Sequence, residues 1–80
     1  MSVTVQFLGR LRDIAGAPSH TTQPGKSVSA YIATQPLCLA QALAAPGIAV
    51  ALNKQVLARG ADPVLKAGDE LAFMPPFSGG

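Results

Sequence analysis

The chain has 80 residues, 49% of them apolar and 12% charged, a net charge of +2 and one cysteine. One compact domain fits this length, whereas disorder, which pairs low hydrophobicity with high net charge, does not. A lone Cys38 excludes an intrachain disulfide scaffold, a four-thiolate zinc site and a cysteine-ligated iron–sulfur cluster, so a reducing compartment is expected.

Val3, Val5 and Phe7 alternate with Thr4, Gln6 and Leu8, the period of a strand with one buried face, and Gly9 ends it. Arg10 to Ala15 reads as a short helical turn, with Leu11 and Ile14 three apart, closed by Gly16. Ser19 to Gln23 is polar and Thr-rich, suiting an exposed second strand that Pro24-Gly25 terminates. Ser27 caps a following helical segment. Val28, Ile32, Leu39 and Leu43 form one apolar stripe there, and the stripe keeps phase across Pro36, so two short helices or one bent helix are expected. Pro46-Gly47 stops it. Ile48, Val50 and Leu52 define a third strand, Asn53-Lys54 a tight turn, and Gln55 to Ala58 a short return strand. Gly60 to Asp69 reads as a connecting loop ending in a Gly68-Asp69 turn. In the last strand Leu71 and Phe73 point one way, Ala72 and Met74 the other.

The order β-β-α-β-β-β predicts an α+β fold, a mixed sheet with one helix or a kinked helix pair on one face. A right-handed crossover brings the last strand beside the first and parallel to it, the β-grasp arrangement. Residues 1–74 are read as that domain and residues 75–80 as an extended tail ending in Gly-Gly.

The six basic residues (Arg10, Arg12, Lys26, Lys54, Arg59, Lys66) are scattered and aromatics are few, which argues against nucleic acid. The longest apolar stretch, Leu37 to Leu52, is interrupted by Gln41, Pro46 and Gly47 and is too short to span a bilayer. The N-terminus lacks the charged start and apolar run of a signal peptide, so a cytoplasmic location without membrane association is expected.

The tail carries the chemistry. Pro75-Pro76 favours an extended polyproline conformation, and Gly79-Gly80 makes the thinnest peptide available. Such a segment can enter a narrow channel and deliver the α-carboxylate of Gly80 there. A carboxylate becomes electrophilic once its oxygen is made a leaving group. Adenylation by ATP does this, and a sulfur nucleophile can then displace AMP to leave a thiocarboxylate. The domain has no side chains for these steps, so partner enzymes must supply them.

Three segments carry a family resemblance: Phe7-Leu8-Gly9-Arg10-Leu11-Arg12-Asp13-Ile14-Ala15-Gly16, then Ala51-Leu52-Asn53-Lys54, then Gly68-Asp69-Glu70-Leu71-Ala72-Phe73-Met74-Pro75-Pro76-Phe77-Ser78-Gly79-Gly80. Together they cover about a third of the chain and resemble the small subunit of molybdopterin synthase. The resemblance implies a ubiquitin-like sulfur carrier that is not itself an enzyme and binds no cofactor. In that family an adenylating enzyme resembling ubiquitin-activating enzymes uses ATP on the C-terminal glycine, here Gly80, and a sulfurtransferase system forms the thiocarboxylate. The tail (Pro75, Pro76, Phe77, Ser78, Gly79) then inserts into the large synthase subunit, where sulfur passes to a cyclic pyranopterin precursor of the molybdenum cofactor. Two carriers flanking a dimer of the large subunit is the implied heterotetramer.

Other residues have simpler readings. A lone cysteine such as Cys38 is usually a small buried hydrophobe. His20 has no second ligand at metal spacing, so no metal is expected. Met74, Phe77 and Val56 are candidate docking residues, since apolar side chains on an open sheet face mark interaction surfaces. Arg10 and Arg12 are candidates to meet acidic residues of a partner. Asp69 and Glu70 are turn residues and form no acid–base pair. Two alternatives stay open: a sulfur carrier for thiazole synthesis or tRNA thiolation, and a β-grasp interaction module with an incidental tail.

Overall fold

A computed structural model describes residues 2–75. The first strand, β1 (Val3–Phe7), buries Val3, Val5 and Phe7 completely and leaves Thr4 and Gln6 half-covered. It pairs antiparallel with β2 (Ser19–Thr22), in the register Val3↔Thr22 and Val5↔His20. On its other side it pairs parallel with β5 (Glu70–Met74), setting Val5 beside Leu71 and Phe7 beside Phe73. Strand β3 (Ala49–Leu52) lies antiparallel to β5, and β4 (Gln55–Val56) returns along it. The sheet order β2-β1-β5-β3-β4 is the expected β-grasp, with the parallel pair at its centre.

A parallel pair needs a long crossover, and the helices supply it. Helix α1 (Leu11–Ala15) closes at Gly16, whose left-handed conformation (φ +80°) lets its N–H donate to the Arg12 carbonyl. Ser27 caps α2 (Val28–Ala33) by accepting from the Ala30 N–H. Pro36 is the N-cap of α3 (Leu37–Leu43), and its carbonyl accepts from the Ala40 N–H at 2.8 Å. A proline disfavours helical geometry in the residue before it and suits a helix start, so the expected bend resolves into two separate helices.

One core lies between helices and sheet. Val28, Leu39, Leu43 and Leu11 meet Val3, Val5, Phe7, Leu71 and Phe73, with Ile32, Val50 and Leu52 packed around them. Tyr31, outside the apolar stripe read from the sequence, is 2% exposed. Its ring stacks on Phe73 at 6.3 Å between centroids, and Phe73 stacks on Phe7 at 6.1 Å. The Tyr31 hydroxyl has no hydrogen-bond partner among the described residues, and burial pushes its pKa up to about 12.

Several details correct the sequence reading. Cys38 is exposed instead of buried. In this seven-residue helix Leu39 and Leu43 are the buried residues, and Cys38 falls about 100° from Leu39 and about 140° from Leu43. Ile14 is likewise exposed, while Leu11 alone anchors α1. The return strand is confined to Gln55–Val56, although the Leu57 N–H still donates to the Val50 carbonyl. The 60–69 segment is more than a connector. Leu65 is 1% exposed, and its backbone bonds Lys26 and Gly25 at 2.8 Å each. Asp62 accepts from the Ser29 hydroxyl and from the Ser29 N–H (2.8 Å), and these bonds hold its carboxyl below the usual carboxylate range.

Candidate functional site

The alternation of β5 divides the sheet into a covered and an open face. Leu71 and Phe73 are fully buried under the helices, while Ala72 and Met74 lie on the other side. Pairing places Gln6, Ala72, Ala51 and Val56 in one row across four strands, with Met74 and Ala49 in the next. Val56 is 68% exposed at the β4 edge and Met74 is half-buried. Leu8, exposed and following Phe7 in the strand alternation, extends the same face. It was not singled out from the sequence, nor were Ala49 and Ala51. Strand pairing is what gathers these small and apolar residues around Met74.

At the far end of β5 the chain leaves the sheet through Pro75. The Leu8 N–H donates to the Phe73 carbonyl at 3.1 Å, and Gly9 then turns with φ +58° into α1. A Cβ built on Gly9 would stand 2.9 Å from Cγ of Pro75, so the two residues are in direct contact. Arg10, the N-cap of α1, and Arg12 follow immediately and are both exposed. The structure therefore brings Arg10, Arg12 and Met74 to one end of the sheet, around the exit of the chain. Val56 sits two strands away in the neighbouring row. The remaining tail residues named from the sequence, Pro76, Phe77, Ser78, Gly79 and Gly80, lie outside the described residues.

The Gly68-Asp69-Glu70 sequence has a structural role at the opposite end. Asn53 and Lys54 both have positive φ (52° and 71°), as a tight two-residue hairpin turn requires. Asn53 Oδ1 accepts from the Glu70 N–H at 2.9 Å, and Asn53 Nδ2 donates to Asp69 Oδ1 at 3.1 Å. Asp69 Oδ2 accepts from the Lys66 N–H at 2.8 Å, the main reason its carboxyl is held below the ordinary range, with Asn53 second. These bonds tie the β3–β4 turn to the start of β5 and thereby fix the strand that leads to the exit.

The other candidates fall away from this site. His20 packs edge-on against Phe7 at 5.0 Å between ring centroids. Among the described residues no group of three His, Cys, Asp or Glu could hold a metal ion. No helix there is long and apolar enough to cross a membrane. Cys38 belongs to the helix layer, on the opposite side from Met74. A groove of about 510 Å³ runs beside Ile48, Val50, Leu57 and Arg59, but it contains none of the residues predicted from the sequence.

The profile of the ThiS family matches residues 5–80. The chain belongs to the ThiS family. Small archaeal modifier protein 1 from Haloferax volcanii is similar over the whole of both chains, with 26% identity and a TM-score of 0.73. The modifier protein 1 of Methanosarcina acetivorans is 22% identical over 99% of this chain and 96% of that one, with a TM-score of 0.75. The same fold occurs in a Helicobacter pylori structure described as a complex of subunits 1 and 2 of molybdopterin-converting factor, at 22% identity, full coverage of both chains and a TM-score of 0.68. Among curated proteins none is significantly similar. The sequence-based expectation of a ubiquitin-like sulfur-carrier family thus holds. Members of this family are small ubiquitin-like carriers.

Proposed function

We propose that this ThiS-family chain carries sulfur on Gly80 for molybdopterin synthesis. An adenylating enzyme joins the Gly80 carboxyl to AMP and releases pyrophosphate from ATP. Hydrosulfide, freed from a sulfurtransferase persulfide by a thiol reductant that is itself oxidised to a disulfide, then displaces AMP to leave the thiocarboxylate. In the large synthase subunit the sulfur passes to a cyclic pyranopterin precursor, and water restores the carboxylate.

The observation that carries this reading is the family match running unbroken from the sheet through Pro75-Pro76 to Gly79-Gly80. The open face around Met74, Leu8 and Val56 supports it, since a carrier with no reactive side chains needs a surface by which foreign enzymes hold it. Arg10 and Arg12 stand where acidic partner residues would meet the domain as the tail enters. The Helicobacter pylori structure, in which a protein of this fold is bound to a second subunit, supports the choice of a large-subunit partner.

The test is reconstitution of the full chain with an activating enzyme, ATP and a sulfur donor, followed by intact mass measurement. The expected product gains the mass of one oxygen-to-sulfur exchange at the C-terminus; its absence under conditions that charge a related carrier overturns the proposal. Gly79→Val is expected to leave the fold intact and to block charging or transfer, because a side chain there obstructs a narrow channel.

The likeness to small archaeal modifier proteins favours a second reading. There the activated Gly80 carboxyl is joined to an amine of another protein. The same mass measurement separates the two, since an amide adduct adds a whole protein.

A further inference from the structure

We infer that Gly9 is a positioning residue: it seats the ring of Pro75 and so sets the direction in which the chain leaves the sheet. The functional consequence rests on the carrier reading above; the geometry does not.

Strands β1 and β5 run parallel, so both finish at the same edge. Beyond their last bond, from the Leu8 N–H to the Phe73 carbonyl, one chain turns into α1 and the other departs. Gly9 and Pro75 meet at that fork. A Cβ on Gly9 would come within 2.9 Å of Pro75 Cγ and 3.5 Å of Cδ. The proline ring cannot rotate out of the way, because it is closed onto its own backbone nitrogen with φ fixed near −65°. Beyond a change of ring pucker, a side chain at position 9 can be accommodated only by a shift of the backbone at position 9 or 75.

Comparison with four other left-handed glycines isolates this demand. Gly16, Gly25, Gly60 and Gly68 also have positive φ, yet a Cβ on any of them meets nothing within 4 Å. There the backbone angle alone calls for glycine. At Gly9 both the angle and the contact do, and the contact is with the first residue past the strand that leads to Gly80.

Gly80 lies five positions beyond Pro75, a reach of at most roughly 17 Å, so the direction set at Pro75 limits where the terminal carboxyl can be delivered. Misplacement of a reacting group by about 1 Å can cost ~100-fold in rate. Docking through the open face and delivery of the carboxyl are then separate properties, the first read in KM and the second in kcat.

The experiment compares the full-length wild type, Gly9→Ala, Pro75→Ala and the double variant in ATP-dependent charging by the activating enzyme, with urea denaturation of each. Gly9→Asn joins the set as a substitution that tolerates positive φ, so that a folded variant with a Cβ at position 9 is available. Gly9→Ala and Gly9→Asn are expected to keep KM and lose about 10- to 100-fold in kcat. In the double variant, removal of the ring should return kcat to the level of Pro75→Ala while the strained φ and the lowered urea midpoint remain. A purely structural role predicts no such recovery.

A nuclear Overhauser contact between the Gly9 α-protons and the Pro75 ring is expected in the wild type, whatever the chemistry. Its absence overturns the inference directly. Normal charging of the wild type with unchanged kcat in Gly9→Asn overturns it while leaving the carrier reading intact. Failure of the wild type to charge counts against the carrier reading alone; the Overhauser contact, and recovery of the residue 77–80 amide shifts in the double variant, then decide the geometry.

Discussion

The two faces of the sheet are built from alternate residues of the same strands, yet they obey different rules. On the covered face Val5, Phe7, Leu71 and Phe73 are fully buried, and aromatic rings stack from Phe7 through Phe73 to Tyr31. On the open face Ala49, Ala51 and Ala72 form a low platform edged by Leu8, Met74 and Val56. Large side chains buried on one side supply cohesion; small ones on the other leave the surface flat for a partner. On the proposed docking role of the open face, stability and recognition sit one residue apart, and single substitutions should separate them.

Phe73→Ala would break the covered face most severely. It removes the ring between Phe7 and Tyr31 and should cost about 3–5 kcal/mol, measured by urea denaturation. Much of the fold's total stability is at risk in a domain this small.

Alkaline titration gives a second, smaller effect. The Tyr31 phenol ionises near 12 in the folded protein against an ordinary value of 10, because burial disfavours the charged form. The folded-state pKa is the higher one, so this contribution is complete below pH 10 and is lost as pH rises toward 12. The loss should reach on the order of 2 kcal/mol. Tyr31→Phe should abolish that pH dependence with little cost at neutral pH, since the hydroxyl has no partner to lose among the described residues. An unchanged alkaline profile in Tyr31→Phe would refute the assignment.

On the open face the expected change in stability is smallest. Met74→Asp should alter the urea midpoint little, within about 0.5 kcal/mol, while weakening binding to a large subunit by calorimetry. If it unfolds the domain, Met74 belongs to the core and the division between faces is misplaced. If affinity is unchanged, the docking surface lies elsewhere.

Strands with a clean two-residue period were legible in the sequence. Val3, Val5 and Phe7, then Leu71 and Phe73, announce their inward face, and the crossover rule places them side by side. The caps at Ser27 and Gly16 were legible for the same reason: each is a local requirement with a local signature. Residues whose role depends on distant partners were not. Leu65 lies in an aperiodic stretch beside Pro63, and only pairing with Lys26 and Gly25 draws it inward. Cys38 was misjudged because the general tendency of lone cysteines to be buried was set above its position about 100° around the helix from Leu39. Arg10, Arg12 and Met74 could be proposed from the sequence one by one. Their gathering around the exit at Pro75 depends on the parallel alignment of β1 and β5. The contact of Gly9 with Pro75 joins positions 66 residues apart and has no sequence signal beyond the glycine itself.

The placement of β5 between β1 and β3 has a consequence for synthesis and quality control. The central strand is the last of the five in chain order, so the finished sheet cannot assemble until β5 has been made. Long-range pairing of this kind slows folding. A product broken off before Glu70 lacks the strand that joins β1–β2 to β3–β4, and is expected to stay unfolded and open to proteases instead of accumulating as a folded, tail-less copy.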